Sequence, residues 1–316
     1  MIVTRRHVIA GALAAPAVLS GAFCAGAATP VRFSYQRSST LLTLLKEDRV
    51  LEKRLAPLGL EVSWKQFTSV LQPMNAGSVE FHADVADAVP IFTQAAGAKL
   101  TFYATEAPSP SAEAIIVHAD SPIRSVQDLK GRRVGVSRGS GCHFILAAAL
   151  AREGLSFSDI TPAYLEAPDG AAAFKGRSID AWVIWDPFLA ITARQHPVRT
   201  IADATGLSGY SRYYTVNTSF ANERPDVVKI VFDALAEQGR WVKANPEAAA
   251  KRLAPIWGDV PPEVVMTVNQ RRSYQVLPLR RDGLGDQQRI ADVFFAAGLI
   301  PQKIDATSAP IWSPPS

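Results

Sequence analysis

Between residues 31 and 184 the chain alternates short apolar segments with helical stretches, and the joins are loops rich in Gly, Ser or Asp. Strands at 31–35, 61–66, 79–83, 114–118, 133–137, 163–165 and 181–184 are predicted, with helices at 40–58, 69–76, 87–96, 126–129, 142–153 and 171–175. Gly77 and Gly97 end two of the helices. Such alternation predicts an α/β fold of mostly parallel sheets covered by helices, because a parallel neighbour is reached only through a long crossover. The segments fall into two sets, and 316 residues suffice for two α/β lobes.

Glu106-Ala107-Pro108-Ser109-Pro110-Ser111 separates the sets, and its prolines exclude helix and central strand, so it reads as a crossover between lobes. A second crossover is expected near 213–217, after the turn-rich stretch 206–209. Helix 225–244 follows, then helical sequence to about Gly298, with breaks at Pro246, Pro255 and Pro261-Pro262. The Pro-rich tail 308–316 is expected to be loose.

Thr4-Arg5-Arg6-His7 precedes an Ala-rich apolar run at 10–23, and Ala25-Gly26-Ala27 gives the small residues that a signal peptidase requires. Residues 1–27 read as a signal peptide, and the paired arginines suggest the twin-arginine route. The chain has 33 basic and 29 acidic residues; without Arg5 and Arg6 the balance is 31 to 29, too even for a nucleic-acid footprint. The two cysteines, Cys24 and Cys142, provide neither a disulfide framework nor a cysteine zinc site in the mature chain. Neither a cofactor nor a metal is expected.

Ligands of open α/β sheets lie outside the carboxyl ends of strands, where loops enter helix N-termini. Four loops qualify: 36–40, 84–88, 137–141 and 185–187. Arg37-Ser38-Ser39-Thr40 and Arg138-Gly139-Ser140-Gly141 offer hydroxyls, close backbone approach and the positive end of a helix dipole, which suits an anion. Plain N-capping explains either loop alone; recurrence in both lobes raises the anion-site reading to an equal footing. GxxxxGK[ST] is absent, which excludes a nucleotide phosphate loop of that kind. Asp87 opens a helix and reads first as an N-cap. Trp185 is either core or a platform for an organic group.

Enzyme signatures are weaker. Cys142 and His143 are adjacent, hence about 100° apart on a helix. GxSxG and HExxH are both missing, and the five histidines are scattered.

Ser-Val-Glu-Phe at 78–81, Val-Pro-Ile-Phe-Thr-Gln-Ala-Ala-Gly-Ala at 89–98, Asp-Leu-Lys-Gly-Arg-Arg-Val-Gly-Val at 128–136 and Ile-Asp-Ala-Trp-Val-Ile-Trp-Asp-Pro-Phe at 179–188 complete the pattern. Together they resemble the aliphatic sulfonate, taurine and nitrate binding proteins of ABC importers, most of all the aliphatic sulfonate branch. The resemblance implies a two-lobed periplasmic binding protein fold of type II, with two crossover hinges. Lobe I would comprise 28–110 and 216–316, and lobe II 111–215.

It further implies a sulfonate held by Gln36, Ser38 and Ser39 of one lobe and by Gly139, Ser140, Gly141 and His143 of the other. Asp87 belongs to the candidate set, Trp185 and Asp186 would bound the alkyl part, and Ser111 and Arg212 would face the cleft from the crossovers. Implied partners are a small anionic organic ligand and a membrane permease with its ATPase subunits, with no nucleic acid and a monomer as the default state. Two features depart from the family: the segment 84–90 lacks the usual Gly, and Gly141 stands where a second Ser is common. They leave room for taurine, a sulfate ester, nitrate or a thiamine-precursor pyrimidine as ligand. A pyrimidine-precursor enzyme on the same fold is the rival from another class.

Overall fold

The computed structural model describes residues 30–36, 38–67 and 71–314; the expected signal peptide, Arg37 and the expected helix start at Ser69 lie outside them. β1 (Val31–Tyr35) and β2 (Val62–Gln66) pair in parallel, joined through α1 (Thr40–Glu47) and α2 (Val50–Leu55). The single helix expected at 40–58 is divided because Arg49 adopts φ 53°, a left-handed conformation outside any right-handed helix. α3 (Leu71–Ala76), β3 (Val85–Ala86) and α4 (Val89–Ala95) follow. The strand expected at 79–83 is reduced to a bridge at Phe81, which links Phe33 to Val216; beside it the Ser34 hydroxyl, not a carbonyl, accepts the Ala83 N–H.

β4 (Leu100–Glu106) was not anticipated, because its threonines and Glu106 break the apolar run, yet it is buried almost throughout. It lies at the centre of the first sheet, whose order is β11-β4-β10-β3, with β10 (Arg212–Asn217) and β11 (Val276–Leu277). The second sheet has the order β7-β6-β8-β5-β9. Its strands are β5 (Glu113–His118), β6 (Arg133–Val136), β7 (Thr161–Tyr164), β8 (Ala181–Trp185) and β9 (Val198–Asp203), with helices α5 (Gly141–Arg152), α6 (Ala167–Lys175) and α7 (Phe188–Gln195). A 3-10 turn, Gln127–Leu129, stands where a helix was expected.

The first sheet is antiparallel throughout and the second is mixed, which corrects the expectation of mostly parallel pairing. β6 pairs in parallel with β7 and β8, but β5 is antiparallel to β8 and β9, and β10 is antiparallel to β3 and β4. β5 and β10, on which the chain arrives in each sheet from the other, run against their neighbours, whereas β4 and β9, on which it leaves, do not run against β3 and β8. β10 meets β3 at Arg212, so the boundary expected between 215 and 216 falls inside a strand of the first sheet.

The rest is helical: α8 (Thr218–Glu223), α9 (Pro225–Ala244), α10 (Pro246–Ile256), α11 (Pro262–Arg271) and α12 (Gly285–Ala296). Pro opens α9, α10 and α11, where its missing N–H removes no helical bond, whereas Pro255 lies within α10 and does not break it. α9 buries Val227, Val231 and Leu235 with Leu41, Leu44 and Leu45 of α1 in the first core. The second core gathers Phe144, Ile145 and Leu146 of α5 with Ile290 and Phe294 of α12. As far as residue 314 the tail is not loose, 315–316 lying outside the described residues: Trp312 N–H donates to Phe102 O at 2.8 Å and Phe102 N–H to Pro310 O at 2.9 Å. It covers the part of the β4 edge that short β11 leaves open.

Candidate functional site

A cavity lies between the two sheets, and small-molecule sites form preferentially at such junctions between domains. The loop from β6 into α5 supplies Ser137, Arg138, Gly139, Ser140 and Gly141; Val85 and Ala86 of β3 face them, and Gln36, Trp185 and Arg212 also line the cavity. A second cavity of about 560 Å³ shares Gln36, Glu166 and Trp185 with the first and adds Ser38, Phe67 and Phe188.

The α5 terminus is shaped by its glycines. Gly139 has φ 73° and donates its N–H to His143 Nδ1 at 3.2 Å. Ser140 caps the helix, its Oγ accepting His143 N–H at 3.2 Å and donating to Ser137 O at 2.7 Å. That hydroxyl proton is therefore committed to the loop. A Cβ on Gly141 would stand 2.8 Å from Ala86 Cβ and 2.9 Å from Glu113 Oε2, so only glycine lets the terminus approach the opposite sheet. The Gly141 and Cys142 N–H groups have no carbonyl one turn earlier in the helix and carry the positive end of its dipole.

Glu113 opens β5 opposite Trp185, is fully buried, lines the cavity, and leaves Oε1 without a partner. Burial pushes its pKa well above the usual carboxyl value, with Asp87 adding to the rise. A carboxyl kept neutral in this way can donate a hydrogen bond to an acceptor at the helix terminus instead of repelling it. Arg212 also lines the cavity, but Nε donates to Asp84 Oδ2 at 2.7 Å and Nη2 contacts the same oxygen at 2.6 Å. Nη1 reaches Tyr210 Oη at 3.2 Å. Its charge is thus largely answered inside the protein, in a network that continues through Arg272 to Glu106 and Tyr214.

Of the expected residues, Gln36, Gly139, Ser140, Gly141, Trp185 and Arg212 line the first cavity, and Ser38 lines the second. Five others take different places. Ser39 is buried and its Oγ accepts Gln36 N–H, so it shapes the loop from behind. His143 is enclosed by Phe92, Phe157, Tyr164 and Phe294, and burial lowers its pKa to about 4; neutral, it holds Gly139 in place. Ser111 is exposed on a 3-10 turn. Asp186 is buried, accepting from Ala190 N–H and from Arg271 Nη1 of α11, so it ties the two lobes together. Asp87 does not cap α4, whose N-cap is Ala88; its carboxyl is buried with Oδ1 unpartnered.

Sequence reading missed Glu113, Glu166 and Tyr210 at the cavity wall. Glu166 leaves β7 at its carboxyl end and was open to the rule used for the other loops. Cys142 offers no nucleophile: burial raises its thiol pKa well above normal and Glu113 raises it further, the opposite of a reactive cysteine.

Two helix-covered sheets, two crossovers and a cavity between them define a two-lobed periplasmic binding protein of type II. The chain belongs to the NMT1/THI5-like family, whose model matches residues 58–249. It is 33% identical over 314 residues to a putative aliphatic sulfonates-binding protein of Escherichia coli, covering 98% of this chain and 97% of that one. The crystal structure of the periplasmic aliphatic sulphonate binding protein SsuA from Escherichia coli superposes with a TM-score of 0.81 at 34% identity, over 90% of this chain and 92% of that one. The alkanesulfonate-binding protein SsuA from Xanthomonas axonopodis pv. citri, bound to MOPS, gives a TM-score of 0.83 at 33% identity, over 90% and 99% of the two chains.

Proposed function

We propose that this chain is the solute-binding component of an ABC import system, capturing an aliphatic sulfonate between its lobes and delivering it to a membrane permease served by ATPase subunits. The observation that carries this reading is the α5 terminus, which meets the cavity through Gly139, Ser140 and Gly141 beside the buried carboxyl of Glu113. The Gly141 and Cys142 N–H groups and the Glu113 proton serve the sulfonate oxygens, while Trp185 covers the alkyl part. The chain performs no chemistry on its ligand. The leader at 1–27 supports export to the periplasm, by the twin-arginine route, and the mature protein acts as a monomer. Gln36, Ser38 and Arg212 border the ligand; Ser39, Asp87, His143 and Asp186 act behind it.

A thermal-shift series of alkanesulfonates of rising length, with nitrate, sulfate and a thiamine-type pyrimidine beside them, tests the reading. A midpoint that rises with sulfonate chain length is expected. A shift for the pyrimidine and for no sulfonate would overturn it.

A further inference from the structure

Both carboxyl oxygens of Glu113 stand at the α5 terminus: a Cβ on Gly141 would lie 2.9 Å from Oε2 and 3.5 Å from Oε1. Oε2 accepts the Cys142 thiol at 3.5 Å, and Oε1 has no partner among the described residues. The proton that burial keeps on this carboxyl therefore belongs on Oε1, the oxygen left free to give it to a ligand. Of the groups that face Glu113, Cys142 of α5 is a neutral thiol, Tyr210 a neutral phenol, and Asp87, ahead of α4, a second acid. Arg212 of β10 is the cation, and Asp84 already holds it at 2.6 Å. Arg138, the other cation on the cavity wall, is exposed and rests over the Tyr164 ring, where solvent screens its charge. The buried side of the cavity thus offers an anionic head hydrogen-bond donors and the partial charge of a helix end, about half a unit, but no unanswered cation. One negative charge suits that supply, whereas a second would be buried beside Glu113 and Asp87 with nothing to offset it.

We propose that Glu113 sets the charge of the ligand: its Oε1 proton is given to a tetrahedral oxyanion of single charge, so that sulfonates and sulfate monoesters are admitted and the phosphate monoester dianion of the same shape is turned away. This rests on the sulfonate reading above and widens the ligand class from one functional group to one charge.

The test is calorimetric titration of the mature protein with butanesulfonate, butyl sulfate and butyl phosphate. The phosphate ester loses its second proton at about pH 6, so it is a dianion at about pH 8 and a monoanion at about pH 5, with the shape of the sulfate ester at both. At the higher pH it should bind at least about thirtyfold more weakly than butyl sulfate, and at the lower pH the gap should close to a few-fold. Glu113→Leu should weaken butyl sulfate by about tenfold or more, the range of a lost hydrogen bond to a charged group, and Glu113→Gln, whose amide N–H can donate in its place, should recover most of that loss. Equal affinity of the wild type for the two esters at the higher pH, a gap that persists unchanged at the lower, or a leucine variant that binds butyl sulfate as tightly as the wild type overturns the proposal, while binding of butanesulfonate keeps the sulfonate reading. Failure of butanesulfonate to bind overturns both.

Discussion

Asp87 is a buried carboxyl behind the cavity that carries a pH-dependent cost of its own. Burial pushes its carboxyl up to about 6. A carboxyl with a folded pKa above its unfolded one keeps its proton longer in the folded state, so stability falls as pH rises between about 4 and 6. His82, lowered to about 4 by burial, acts in the opposite sense: stability grows as pH rises from about 4 to about 6.5. Asp87→Asn should therefore stabilise the protein at pH 7 by up to about 3 kcal/mol, with the gain vanishing near pH 4. Urea unfolding at both pH values checks this, and an equal gain at both would assign the effect to packing. Gln36, Gly139, Ser140, Gly141 and Trp185 were legible because they stand on loops outside the carboxyl ends of strands. Glu113 and Tyr210 were not, because each lies at the amino end of a strand that runs antiparallel and so presents its start, not its finish, to the cleft.

Among the elements, α9 was legible to the residue, since Pro225 marks its start and its apolar positions recur on one face. β4 was not, because a strand buried on both faces shows no alternation, and its polar residues find partners that no local pattern reveals: Thr101 bonds Thr218, and Glu106 bonds Tyr214 and Arg272. The α5 terminus carries the sharpest prediction at this scale. Gly141→Ala introduces a methyl group into the gap to Ala86 and Glu113, and the opposed sheets must part to hold it. Binding should weaken by about 1–3 kcal/mol, the usual cost of overpacking, and small-angle scattering should show a wider molecule under saturating sulfonate. Wild-type affinity would mean that the terminus does not close on the ligand.

For the molecule as a whole, the lobes are joined by more than their crossovers. Ser109 N–H donates to Gly209 O at 2.8 Å, so the two crossovers are bonded side by side. Arg271 of α11 binds the buried Asp186 beyond β8. Arg271→Ala leaves that carboxylate unpaired and should cost about 3 kcal/mol at pH 7. The loss should shrink as pH falls below about 6, where Asp186 takes up a proton, and Asp186→Asn in the same chain should reverse most of it. A loss independent of pH would place the role of Arg271 elsewhere. Two lobes and the first crossover were legible from the alternation and from the prolines at 108 and 110; the second, expected near 213–217, runs instead through 204–211, because 213–217 belong to β10. The attachment of the last residues was not, because their contacts span the whole chain.

That attachment has a mechanical meaning. The C-terminal segment is fastened to the first sheet through Ile311 and Phe102, while its helix α12 rests on α5 through Phe294 and Phe144. Two bodies linked by adjacent bonded strands can both bend and twist about them; a strut away from that line resists the twist. Any rotation of one lobe on the other that keeps both contacts is thereby confined to a single coordinate, like a jaw and not a ball joint.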